Sequence, residues 1–137
     1  DSYVPEPPMA RDPGAAALLE RSQNKVKTEG LKTDALGYYL VPWAYAYLDI
    51  LGQAVNAVGK IDHDAIAEYI HKTEFTSVVG KVAFGDNGEW TTSRTIVVQY
   101  QNIKNNDLSQ FAQPGVRKIM YPADIKTGSP VTFNSLR

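Results

Sequence analysis

The sequence predicts a mixed α/β fold, with helices gathered in the first half and strands in the second. Three observations carry this. Apolar residues recur at three and four from about Ala15 to Ile70, the spacing of one helix face. After Lys72 the period falls to two, the spacing of a half-buried strand. No stretch repeats at a fixed interval, so a solenoid or propeller is not expected.

The chain opens with DSYVPEPPMARDPG, whose prolines fix φ and remove donors. It is expected to be an extended surface segment, either a free arm or the result of a cut within a larger protein. Asp12-Pro13 announces the first helix: the acid can accept free amides, and proline is tolerated in a first turn. Ala15, Leu18, Leu19, Ser22 and Val26 form its small or apolar face, Glu20, Arg21 and Lys25 lie outside, and Gly30 ends it. LKTDALG then reads as a loop.

GYYLVPWAYAYLDILGQAVNAVG, residues 37–59, is the most apolar stretch. Pro42 belongs in a first turn, so this helix should start at about Val41 or Pro42. Ala44, Leu48, Leu51, Val55 and Val58 mark its apolar spacing, and Asp49, Gln53, Asn56 and Lys60 form one polar line. Such a helix is expected to be buried on most sides. A membrane span needs about 20 apolar residues without internal charge, and Asp49 sits near the middle. Gly59 suits the helix end, with Lys60 at the favourable pole of the dipole.

Asp62 can cap a third helix, with Asp64 in its first turn and Ile66, Tyr69 and Ile70 as an apolar patch. Val78 to Phe84 and Thr95 to Gln101 read as strands, the second with Ile96, Val98 and Tyr100 on one face. GDNGEWTTSR joins them as a long hairpin or a more open excursion. A polar linker leads to a short strand at Arg117 to Tyr121 and then a tail.

Composition narrows the chemistry. With 14 basic and 15 acidic residues scattered along 137, there is no basic footprint for nucleic acid or an anionic membrane. The absence of cysteine removes disulfides, thiolate nucleophiles and thiolate metal sites. His63 and His71, on one helix, would lie about 12 Å apart, too far to share a metal, and both read as exposed. Asp86 to Glu89 lacks the ligand ladder of a calcium loop and reads as a turn. No phosphate-loop, GxSxG or dinucleotide glycine pattern occurs. No active site, cofactor or metal is expected.

Aromatics are more suggestive. Tyr38, Tyr39, Trp43, Tyr45 and Tyr47 crowd one helix start, where polar-tipped rings suit a half-apolar surface and the free amides suit a carboxylate. Core and boundary packing is the plainer reading of the same residues.

The order of these pieces resembles the C-terminal portion of periplasmic solute-binding proteins of ABC transporters, in the branched-chain amino acid receptor class. The residues that carry it are GYYLVPWAYAYLDILGQAVNAVGKIDHDAIAEYIHK, then FTSVVGKVAFGDNGEWTTSRTIVVQYQ, with QNIKNNDLSQF and VRKIMYP behind them. The resemblance implies the C-terminal part of a two-lobed type I periplasmic-binding-protein fold. On that reading residues 1–36 belong to the second lobe, 37–94 to the first, and 95–137 to a hinge-crossing strand and tail. It implies a non-enzymatic receptor, periplasmic or extracellular and lipid-anchored in some full-length relatives. The partners would be a small amino acid, amide or aromatic acid and the permease subunits, with no nucleic acid. Tyr39, Pro42, Trp43 and Tyr3 are its cleft candidates. The alternative is a regulatory or sensory ligand-binding module of the same fold. A fragment of two lobes would expose sheet edges, and an intertwined oligomer is one expected consequence.

Overall fold

The computed structural model describes residues 3–33, 40–92 and 95–132. Three helices, α1 (Ala15–Glu29), α2 (Leu40–Val58) and α3 (His63–Lys72), precede four short strands: β1 (Phe75–Ser77), β2 (Gly80–Val82), β3 (Val97–Tyr100) and β4 (Arg117–Tyr121). The strands form two separate antiparallel pairs, β1 with β2 and β3 with β4. The α/β expectation holds at this level.

Helix α1 starts two residues later than Asp12-Pro13 suggested. Gly14 is its N-cap, at φ 78°, a conformation that side chains resist. A Cβ there would stand 3.5 Å from Val78 Cγ1, an ordinary contact, so the site wants glycine for its backbone alone. Gly30 closes the helix at φ 62°, its N–H donating to the Val26 carbonyl, as expected of a left-handed cap.

The apolar length of α2 is not mostly buried. Its inward ridge is Pro42, Ala46, Ile50 and Ala54, one residue every four, whereas Ala44, Leu48 and Leu51 of the expected face are exposed. The ridge wins because Ala46 and Ala54 are small enough for neighbouring elements to come close; Val55 and Val58 flank it, half-buried. Among the described residues no helix is long and apolar enough to cross a membrane.

Asp62 caps α3 as anticipated, its Oδ1 accepting from Ala65 N–H at 3.0 Å. Lys60 reaches the other oxygen at 2.7 Å. The Lys60 bond and then the Ala65 amide hold the Asp62 carboxyl below the usual carboxylate range. A depressed folded pKa gives stability that is present above the unfolded value of about 4 and lost as pH falls through the lower folded value. Asp62→Ala is therefore expected to loosen α3 at pH 7, and the difference from the parent should vanish in acid; helical circular dichroism against pH checks this.

The strand expected over Val78 to Phe84 is present only as Gly80–Val82, and the first two residues of that stretch are a reversal. Val78 and Val79 form the turn between β1 and β2, and Ser77 pairs with Gly80, whose φ is 87°. The two valines are 4% and 1% exposed, so burial in the core outweighs their poor turn chemistry. Of the two connections left open for GDNGEWTTSR, the described part, Gly85 to Thr92, makes the more open excursion, since β2 and β3 do not pair. It folds on itself: Phe84 bridges Trp90, and Gly85 N–H donates to the Glu89 carbonyl. By contrast, β4 coincides with the expected strand, and Ile96 is buried with Val98 and Tyr100 half-buried.

Two apolar clusters result. One gathers Ala15, Ala46, Ile50, Ala54, Ile66 and Phe75 with the valines of the first hairpin. The other gathers Tyr3, Val4, Met9, Leu19, Ile96 and Ile119, so α1 contributes to both. The N-terminal stretch is thus a packed element and not a surface arm: Tyr3 is 0% and Met9 2% exposed. Its partners lie some hundred residues away, beyond the reach of a local reading of prolines.

The far edge of β4 is covered by the tail. Thr127 N–H donates to the Ile119 carbonyl at 3.0 Å, and Ile119 N–H donates to Thr127 Oγ1 at 2.8 Å. Gln99 clasps Val131 through both its amide oxygen and nitrogen at 2.8 Å each.

Candidate functional site

The described residues among those singled out by sequence do not gather in one cleft. Tyr39 lies outside the described residues. Pro42 is fully buried on the α2 ridge. Trp43 is half-buried, its ring edge-to-face with Trp90 at 5.3 Å between centroids, at the margin of the first cluster. Tyr3 belongs to the second cluster. In this conformation Pro42 and Tyr3 act as core, and Trp43 braces α2 against the Phe84–Trp90 hairpin. His63 and His71 are exposed, and among the described residues no group of three or more potential ligands gathers for a metal.

The Tyr3 hydroxyl is buried without a hydrogen-bond partner among the described residues. Burial, helped by the negative charge of Asp12, pushes its pKa up to about 12. A raised folded pKa gives stability that is complete below the unfolded value of about 10 and lost as pH climbs to the folded one. An unmet buried hydroxyl also costs free energy that phenylalanine does not incur. Tyr3→Phe is accordingly expected to match or exceed the parent's urea midpoint at pH 8 and to pull ahead between pH 10 and 12.

Polar groups converge elsewhere. A cleft of about 280 Å³ opens between α1, α2 and β1, lined among others by Arg21, Tyr45, Asp49, Gln53, Thr76 and Ser77. Its floor is a bonded network. Ser77, 3% exposed, donates through Oγ to Asp49 Oδ2 at 2.6 Å. Gln53 Nε2 donates to the same oxygen and to the Thr76 carbonyl, at 3.1 Å each. Both donors use Oδ2; no donor of the described residues reaches Oδ1. The polar line of α2 therefore faces β1 at this point and is not a solvated stripe.

The cleft joins both signs of charge. Arg21, on the exposed side of α1, makes no ion pair with a described residue, and Tyr45 stands 42% exposed beside it. A guanidinium is well suited to a carboxylate, and a carboxylate with a free oxygen to an ammonium. The volume lies just below the usual range of ligand pockets, which starts at about 300 Å³. Together these features suit a small zwitterion better than an extended or purely apolar ligand. Asp49 and Gln53 were visible as polar residues on an apolar helix; Arg21 and Ser77 carried no such mark, because their role depends on the α1–α2 and α2–β1 contacts.

No family model, no curated protein and no solved structure matches this chain.

Proposed function

We propose that the chain is ligand-binding machinery of a non-enzymatic solute receptor, taking a small amino-acid-like or carboxylate ligand outside the cytoplasmic membrane for an ABC importer. In this reading it is the C-terminal part of a two-lobed type I periplasmic-binding-protein fold. The observation that carries the reading is the cleft where Arg21 on α1 faces Asp49 on α2. Support comes also from its place at the seam between residues 1–36 and 37–94, the segments the resemblance assigns to different lobes. Closure of that seam over a solute is the motion such a receptor uses.

Arg21 would take the solute carboxylate and Asp49 Oδ1 its ammonium, while Tyr45 covers the body. Gln53 and Ser77 position Asp49 by holding its other oxygen. A thermal-shift screen against amino acids, amides and aromatic acids tests this. A ligand at a hundred times its dissociation constant raises stability by about 2.7 kcal/mol, and the gain should disappear in Arg21→Gln. No rise with any member of the panel would count against the receptor reading.

A further inference from the structure

We infer that a second cleft, beside Arg117, binds a small monocarboxylate with a compact apolar body. Arg117 opens β4 and is only 5% exposed, yet its Nε–H has no acceptor among the described residues. No carboxylate of the described residues lies within ion-pair distance of it; the ion pairs they form involve lysines alone. Guanidinium does not shed its proton in a protein, and a buried charge without a counter-charge is unfavourable. A site that keeps one lacks an anion.

The surroundings define which anion. The guanidinium carbon sits 5.2 Å from the centre of the Tyr100 ring, its cross-strand partner, and Tyr100 in turn meets Phe111 edge-to-face at 5.1 Å. This stack fixes the guanidinium before any ligand arrives, which lowers the ordering cost of binding. In front of it lies a cleft of about 300 Å³ between the N-terminal segment, α1 and residues 111–117, with Ala16, Leu19 and Phe111 among its apolar walls. A planar carboxylate can meet the edge of the guanidinium in the two-point geometry that arginine favours, with a small side-chain adjustment that uncovers the enclosed Nε–H.

Two acids line the same cleft, and both bear on selectivity. Glu6 is occupied, its Oε2 accepting Gly115 N–H at 2.7 Å. Glu20 is exposed and contributes a screened negative charge at the rim. Neither neutralises Arg117; both disfavour a ligand with two or more negative charges. One carboxylate on an apolar body is the class that remains. The site is separate from the Arg21–Asp49 cleft and stands whether or not that cleft binds a zwitterion.

Side-chain 1H–15N spectra of the arginine Nε–H groups provide the test, with benzoate and its neutral isostere benzamide as probes. The Arg117 Nε–H resonance should move progressively with benzoate and stay in place with benzamide. Arg117→Lys keeps the charge but loses the two-point geometry, and should weaken benzoate about tenfold or more. Glu20→Gln removes a like charge and should tighten benzoate by about two- to threefold, an effect that a purely structural Arg117 would not produce. Asp49→Asn should leave the benzoate response unchanged. An Arg117 resonance that stays still at about 10 mM benzoate, ten times a millimolar dissociation constant, or that moves equally with benzamide, would overturn the assignment. The wild-type spectra and Glu20→Gln decide the matter even if Arg117→Lys does not fold.

Discussion

Ile119→Ala is expected to lower the unfolding free energy by about 2–5 kcal/mol, the range for a large aliphatic side chain removed from a closed core. Ile119 is 0% exposed in the middle of β4. Its side chain packs in the cluster that holds Tyr3, Val4, Met9, Leu19 and Ile96, and its backbone is bonded on the outer edge to Thr127. With the backbone held there and the cluster drawn from three distant stretches, little can collapse into the space left by the deletion. Domains of this size are stable by only about 5–15 kcal/mol, so this one change should remove a large share. Ile119→Val, which takes away a single methylene, should cost about 0.5–1.5 kcal/mol. Urea denaturation of the pair measures both; a loss below about 1 kcal/mol for alanine would mean that the second cluster is not a closed core.

The second large effect belongs to Asp49. Asp49→Ala leaves the buried Ser77 hydroxyl without its acceptor and frees Gln53 from one of its two bonds. Hydrogen bonds to a charged group are worth about 1.5–3 kcal/mol, and that loss should appear in the denaturation midpoint. Asp49→Asn retains an oxygen for Ser77 and should cost about half as much. Binding should separate from stability in these two variants: the asparagine form remains folded but offers no charge to an ammonium, so a zwitterion should lose affinity in both. Equal stability of Asp49→Ala and the parent would mean that the Ser77 and Gln53 bonds contribute nothing net.

What could be read from the sequence was local. Asp62 as a cap, Gly30 and Gly59 as helix ends, and the strand from Arg117 to Tyr121 each depend on a handful of adjacent residues, and each stands where the pattern placed it. Long-range partners were hidden. Tyr3 lies in a proline-rich stretch that reads as surface, yet Ile96 and Ile119 bury it. Val78 and Val79 have strand propensity, yet the glycine after them and the core beneath them make a turn. The helix face of α2 was misjudged because large apolar side chains drew attention from the small ones; Ala46 and Ala54 form the contact.

The same distinction governs the sites. An aromatic cluster at the start of α2 pointed to Pro42 and Trp43, but packing commits the first to the core and the second to Trp90. The charged cleft forms about two turns further along, where Asp49 meets Ser77 across 28 positions of sequence. Arg117 showed nothing unusual in composition or spacing; only its burial without an acid sets it apart.

The central claim is that the Arg21–Asp49 cleft receives a small zwitterion, and backbone amide shift mapping tests it most directly. On titration with a pool of neutral α-amino acids, the perturbed amides should concentrate at Ala17 to Arg21, Tyr45 to Gln53 and Thr76 to Val78, which border the cleft. Asp49→Asn should abolish the response. No perturbation, or one centred on the apolar hollow between Leu51, Ile70 and Phe84, would contradict the account.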